Sequence, residues 1–323
     1  MTTHIGVDLG GTNFRTATFA PGSITPLEHD KEPVGEPRDP ATIIERIAAT
    51  AERLAPTGDV TLGVGIAAML RDRAGTVANS PHLRWLDVPF GKLLAARLGS
   101  RFSVGVYNDV NAIVYGEAVG GAARGCRDVL GVYVGTGIGG GLISGGQLVE
   151  GITNCAGEIG HVKVRWDEAA APCACGQRGC VEAYAGGSYV QRRITDELRA
   201  GKKKSKALEL AGGIVDDVNP SHVDAAAAEG DDWALAMWTE LSTLLAVALG
   251  NACAILNPAR LVLGGGLLGR TPTLYELVAT EILLVAPRAI TDPLEIVPAE
   301  LGDDAGLVGA YSLAAAGIST QRA

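Results

Sequence analysis

One His and three Cys lie in a short stretch of this chain: Glu158-Ile-Gly-His161, then Cys173-Ala-Cys175-Gly-Gln-Arg-Gly-Cys180-Val-Glu182. Imidazole nitrogen and thiolate sulfur are donors that zinc takes, and four of them close a tetrahedral structural site with no position open for water. The competing reading is a disulfide with one thiol left over. No secretory leader opens the sequence and the three Cys fall within eight residues, which favours a metal knot of His161, Cys173, Cys175 and Cys180. Carboxylates frame the knot, Glu158 three residues before the His and Glu182 two after the last Cys, so folding it would hold both in place.

Three glycine-rich turns carry a second kind of chemistry: Asp8-Leu-Gly10-Gly11-Thr12-Asn13, Gly135-Thr136-Gly137-Ile-Gly139-Gly140-Gly141 and Gly264-Gly265-Gly266. Such turns can adopt positive φ and present several backbone N–H groups to one anion. One alone would suit a hairpin equally well. Three at the ends of apolar runs point to a nucleoside triphosphate, although neither G-x-x-x-x-G-K-[ST] nor an H-R-D loop is present. Phosphoryl transfer to a hydroxyl also needs a carboxylate to orient the nucleophile and take its proton. Asp109, in Tyr107-Asn108-Asp109-Val110-Asn111, stands where a short strand ends. It reads equally as the N-cap of a helix from Val110 to Val119. Asn79, in Asn79-Ser-Pro81-His82, is a turn residue on local sequence, or else a hydrogen-bonding ligand.

The elements that must position these groups follow from periodicity. Ile5 to Leu9 and Phe14 to Phe19 form a hairpin around the first turn, and Val129 to Val134 with Ile138 to Ser144 repeat it about 125 residues later, as a duplicated unit would. Helices are expected over 40–54, 89–98, 187–200, 222–229, 231–256 and 272–285, with a last helix from Asp304 capped by Asp303. Strands are expected over 61–67, 104–107, 261–264 and 294–297. Strands interleaved with helices make an α/β chain, with a domain boundary near 110–115.

At 323 residues and 47% hydrophobic content the chain is globular, and a net charge of −9 argues against nucleic acid as a partner. Its one basic run, Lys202-Lys203-Lys204 with Lys206, reads as a solvated loop. Residues 241–259 lack charge and are long enough to raise a membrane span, but Ser242, Thr243, Asn251 and the Asn257-Pro258 break fit a buried helix better. Cys126, Cys155 and Cys253 are expected to be free buried thiols of a reducing cytoplasm.

Taken together, the three glycine turns, Asn108-Asp109, Glu158-x-Gly-His161 and Cys173-x-Cys175-Gly-x-x-Gly-Cys180-x-Glu182 resemble the ROK family of sugar kinases and related repressors, over nearly the whole chain. The residue before the first Cys is often Gly in that family and is Pro172 here. The resemblance implies the two-domain actin/hexokinase/Hsp70-like ATPase fold with duplicated βββαβα-type units. The smaller domain would be 1–112 plus about 303–323, and the larger 113–302 with the zinc segment 158–182. It implies that Asp109 is the catalytic base and that Asn79, Asn108, Asp109, Glu158, His161 and Glu182 hold the sugar hydroxyls. Asp8, Gly10, Gly11, Thr12, Asn13, Thr136, Gly137 and Gly139 would hold the phosphates of ATP with Mg2+, and Gly264, Gly265 and Gly266 would flank adenosine. His161 would both bind structural Zn2+ and set the sugar site, whereas the phosphate turns, elsewhere in sequence, would be independent of the metal. The expected reaction is ATP-dependent phosphorylation of a hexose at its 6-hydroxyl, D-glucose first and N-acetylmannosamine, fructose or allose as alternatives, with polyphosphate left open as a donor. A cytoplasmic homodimer is implied, with no membrane or nucleic-acid partner. The repressor branch carries a helix-turn-helix domain before the first turn, where only four residues precede Ile5 here. A non-catalytic sugar-binding regulator would be expected to lose Asp109 or a glycine turn, and all are present.

Overall fold

The computed structural model describes residues 2–201 and 205–317; the run Lys202-Lys203-Lys204 lies outside them. The chain divides into two compact units, Met1–Val129 with Gly141–Gly157 and Ala299–Ala323, and Leu130–Gly140 with Glu158–Pro298.

The first unit opens on β1 (Thr3–Leu9), β2 (Asn13–Phe19) and β3 (Glu28–Pro33), followed by α1 (Pro40–Leu54) and β4 (Val60–Ile66). A small three-stranded sheet of β5 (Met69–Leu70), β6 (Val77–Ser80) and β7 (Trp85–Val88) precedes α2 (Phe90–Leu98), β8 (Phe102–Asn108) and α3 (Asp109–Gly120). The main sheet runs β3-β2-β1-β4-β8, antiparallel through the opening hairpins and parallel from β1 onward. Ile5, Val7 and Leu9 are fully buried in β1, which gives the hairpin its register. β3 has no apolar alternation to announce it. Its charged side chains suit a sheet edge, where they discourage further pairing, and Glu32 takes a hydrogen bond from Arg46 of α1 at 2.8 Å. α1 starts on Asp39, whose carboxylate accepts from Thr42 N at 3.0 Å, with Pro40 at the first helical position.

The second half repeats the plan. After β9 (Val129–Val134), β10 (Ile138–Ser144) and β11 (Gln147–Leu148) come α4 (Glu182–Ala185), α5 (Gly187–Arg199), α6 (Lys206–Leu210), α7 (Pro220–Ala228) and α8 (Asp232–Leu256). Next follow β12 (Arg260–Gly264), α9 (Pro272–Val285), α10 (Arg288–Thr291), β13 (Glu295–Pro298) and α11 (Ala305–Ala315). The second sheet is ordered β11-β10-β9-β12-β13, the same third, second, first, fourth, fifth sequence as the first sheet. The expected duplication is thus visible as matched strand order.

α8 is long and apolar enough to cross a membrane by composition, yet it is the core helix of the second unit. Trp238, Leu241, Leu245 and Leu249 are buried, Trp238 Nε1 donates to Asp224 Oδ1 at 2.9 Å, and Ser242 Oγ donates to Glu281 Oε1 at 2.8 Å. Buried polar groups paired in this way belong to a protein interior. The helix stops at Asn257, whose left-handed φ of 44° precedes Pro258.

α11 belongs to the first unit and packs on β1, β4 and α3. Its contact with α3 depends on glycine at the crossing: a Cβ at Gly309 would stand 2.5 Å from the carbonyl carbon of Ala112 and 2.8 Å from Gly116 N. A boundary after residue 112 would cut α3 within this packing, which is why the compact unit continues to Val129. Two smaller expectations are corrected. Asp304, not Asp303, holds the N-cap position of α11, and only Cys253 of the three scattered cysteines is buried, Cys126 and Cys155 being partly exposed.

Candidate active site and metal knot

In the first unit, strand register gathers the acidic groups. Asp8 of β1 pairs with Gly65 of β4, and Gly65 with Tyr107 of β8, so the carboxyl ends of these strands bring Asp8, Asn108 and Asp109 to one edge of the sheet. A Cβ at Gly65 would come 3.7 Å from the Cα of Asp109. The N-cap of α3 is Asn108, whose Oδ1 accepts from Asn111 N at 3.0 Å, while Asp109 is the first helical residue. The reading of Asp109 as a cap is therefore wrong: its neighbour does that work. Asn108 Nδ2 also donates to Ala68 O at 3.3 Å, next to Met69, which pairs with Asn79. Asn79 is an exposed strand residue of β6 rather than part of a turn.

The Gly10–Gly11–Thr12 turn closes with Gly10 N donating to Asn13 O at 3.1 Å. Arg38 Nη1 donates to Gly11 O at 3.0 Å and to His82 O at 2.6 Å, which ties this turn to the segment after Asn79. Burial pushes the Asp8 carboxyl above its ordinary range, with Arg15 at 3.8 Å opposing and Asp303 adding to the shift. A carboxylate whose charged form suffers from burial gains from a bound cation, so Asp8 is a residue that could hold one.

In the second unit, the donor atoms of His161, Cys173, Cys175 and Cys180 lie within 4.8 Å of one another. Cys175 Sγ and Cys180 Sγ are 3.7 Å apart, and Cys173 Sγ is 3.8 Å from His161 Nδ1. Zn–S bonds of about 2.3 Å at tetrahedral angles put sulfurs about 3.8 Å apart, so these separations fit a shared zinc and are far too long for a disulfide. Cys173 N donates to Gln177 O at 2.8 Å and Pro172 bridges Arg178, a tight hairpin that does not need an N–H from Pro172. Lys163 Nζ donates to Cys180 Sγ at 3.1 Å, a positive charge against a thiolate set. Tyr184 and Tyr189 hydroxyls accept from Ala171 N and Ala174 N at 2.7 and 2.8 Å, roping the knot to α4 and α5. With Nδ1 of His161 facing Cys173, Nε2 lies 3.8 Å from Glu158 Oε2. The Glu158 carboxyl is raised by burial, with His161 opposing and Glu182 reinforcing the shift.

The second and third glycine turns meet in this same unit. Leu267 N donates to Val134 O at 2.9 Å, and Gly135, Thr136 and Gly266 line a cavity of about 690 Å³. Of the glycines assigned to the three turns only Gly265 has a positive φ, 92°, so left-handed backbone is not what most of them supply. Room is: a Cβ at Gly11 would meet His82 at 2.6 Å, and one at Gly137 would meet Glu182 Oε2 at 2.5 Å. Sequence reasoning missed Gln191, Asn219, His222 and Arg270, which also line the cavity. The signal for two of them was Asn219-Pro-Ser-His222, a capping box in which Asn219 Oδ1 accepts from Ser221 N and His222 N and His222 Nδ1 accepts from Asn219 N. It starts α7 at Pro220 rather than at 222.

Comparison with known proteins bears on this arrangement. The ROK family model matches residues 4–316. A glucokinase of Thermotoga maritima is 33% identical over 322 residues, and one of Streptomyces coelicolor 31% over 314 residues, each alignment covering 96% of both chains. The chain is similar to the crystal structure of a ROK family glucokinase from Streptomyces griseus in complex with glucose and AMPPNP. There the TM-score is 0.79 at 30% identity, with 97% of this chain and 99% of that one covered.

Proposed function

The chain belongs to the ROK family, and from that premise we propose that it is an ATP-dependent glucokinase, transferring the terminal phosphoryl group of ATP to the 6-hydroxyl of D-glucose. The observation that carries the reading is the division of labour between Asn108 and Asp109. Asn108 caps α3 and fixes the helix start, so Asp109 stands just past the carboxyl end of β8, at the same end of the sheet as Asp8 two strands away, without serving as the cap. Asp109 takes the proton of the 6-hydroxyl as that oxygen bonds to phosphorus and the bond to ADP breaks. Asn79 and Asn108 orient the sugar, and Glu158, His161 and Glu182 receive its remaining hydroxyls.

Thr136 and the backbone of the Gly10–Asn13 and Gly135–Gly139 turns hold the phosphates, while Gly264–Gly266 flank adenosine. Support for this comes from the cavity that Thr136 and Gly266 share. Asp8 would hold magnesium, which neutralises phosphate charge when bound. His161, Cys173, Cys175 and Cys180 would hold zinc, which supplies a fixed cross-link rather than reaction chemistry. Exclusion of water around the sugar matters because water competes with the 6-hydroxyl for the phosphoryl group. A homodimer in the cytoplasm is the proposed setting; a reducing compartment is in keeping with six cysteines of which none forms a disulfide.

A coupled ADP-release assay over glucose, 2-deoxyglucose, N-acetylmannosamine, fructose and allose tests the proposal. Glucose gives the highest kcat/KM, with N-acetylmannosamine at least about tenfold lower, since buried acceptors left without their hydroxyl are strongly penalised. N-acetylmannosamine as the best substrate would overturn the glucose assignment.

A further inference from the structure

We propose that Glu182 is a positioning residue for the nucleotide, and that through it the Cys/His knot holds the Gly135–Ile138 turn in its phosphate-binding shape. The inference rests on the kinase reading and deepens it. Glu182 follows the last knot cysteine by two residues, and one of its carboxylate oxygens points each way. Oε1 lies 3.8 Å from Cys173 Sγ, and Oε2 accepts a hydrogen bond from Ile138 N at 2.8 Å.

That second bond is built in on both sides. A Cβ at Gly137 would stand 2.5 Å from Oε2, so the close approach needs glycine there. The residues after Glu182 hold the rest of the turn: Gly187 N donates to Gly135 O at 2.8 Å and Ser188 N to Thr136 O at 3.0 Å. On the knot side Val181 N donates to Val162 O at 2.9 Å, and Lys163 bridges Cys180. Thr136 lines the cavity, so the turn that Glu182 secures from behind is the one that faces a nucleotide. A carboxylate near incoming phosphates is electrostatically unfavourable. Its presence here is accounted for by what it fixes, and on this reading that turn is not independent of the knot.

The test is calorimetric binding of MgAMPPNP to the full chain without sugar, with zinc content measured on each sample. Glu182→Ala is expected to weaken binding about tenfold, a loss typical of one charge-assisted hydrogen bond. Glu182→Gln, whose amide oxygen still accepts from Ile138 N, should stay within about threefold of wild type. Gly137→Ala should weaken binding in the wild-type background and much less in Glu182→Ala, where the added methyl has room. If Glu182→Ala folds poorly, Gly137→Ala in the wild-type background decides the matter, because its methyl displaces the Glu182 carboxylate without removing it. Unchanged MgAMPPNP affinity in zinc-replete Glu182→Ala, or additive effects in the cycle, would overturn the inference and leave the kinase reading standing. A wild-type chain that binds no MgAMPPNP would overturn both.

Discussion

Gly309→Ala sets two effects of opposite sign against each other, and the helix crossing decides between them. Replacing a helical glycine by alanine normally stabilises, by about 1 kcal/mol, because it removes backbone freedom from the unfolded chain. At Gly309 the new methyl would overlap the carbonyl oxygen of Ala112 and come within 2.5 Å of its carbon, against ordinary contacts of about 3.5 Å. α11 and α3 would have to part by about 2 Å along a buried contact that carries Ala112 on one side and Ala310 and Leu313 on the other. Overpacking of this kind costs about 3 kcal/mol where backbone rather than a side-chain tip must move, which leaves a net loss of about 2 kcal/mol. For a unit of this size that lowers the melting temperature by about 4–8 °C. Since α3 begins at Asp109, kcat should fall more than KM for glucose changes. Thermal unfolding followed by circular dichroism, with steady-state kinetics on the same sample, measures both. A variant that melts higher than wild type with unchanged kcat would show that the two helices are not in this contact and that α11 does not position the catalytic edge.

Further outcomes follow from the same geometry. Elemental analysis should find one zinc per chain, and Cys175→Ser should lose it together with much of the glucose affinity; protein purified without chelator and free of zinc contradicts the knot. Asn108→Ala removes the cap of α3 and should lower stability by about 1 kcal/mol, whereas Asn108→Asp, which keeps an acceptor for Asn111 N, should recover most of that loss in a denaturant titration. Burial raises the Glu150 carboxyl above its ordinary 4.5, and Arg73 at 3.2 Å opposes this only in part. The folded state therefore binds that proton more tightly than the unfolded chain, and its stabilising effect is present at low pH and lost as pH rises through the folded-state value. Glu150→Gln, neutral throughout, should melt above wild type at pH 8 and level with it near pH 4; a lower melting point at pH 8 would mean that the Arg73 pair outweighs burial.

The sequence was most legible where pattern and burial agree. The paired hairpins, α1, α9 and the strand before Gly264 follow from apolar periodicity, and the gathering of His161, Cys173, Cys175 and Cys180 follows from donor type and spacing alone. β3 was hidden because a charged sheet edge carries no apolar period. The start of α7 was misplaced because its cap, Asn219, precedes a proline and polar residues rather than an apolar run. Asp109 was open to the cap reading because its side chain suits that position, and only the bond from Asn111 N to Asn108 Oδ1 assigns the cap to its neighbour. The glycines of these turns were expected for their φ angles, but Gly11 and Gly137 are small because His82 and Glu182 approach from elsewhere in the chain, a reason that no local window contains. For the same cause the tie from Glu182 to Ile138, across 44 positions, was invisible before the fold was known.

The proposed chemical step is transfer of a glucose hydroxyl proton to Asp109 as the phosphoryl group leaves ATP. It is tested most directly by glucose-dependent ADP release from MgATP, comparing wild type with Asp109→Asn, which preserves size but cannot take the proton. Wild type should turn over glucose, and the variant should lose about 10²–10⁴-fold in kcat while binding glucose with little change. Near-normal turnover by zinc-replete, folded Asp109→Asn would contradict the account.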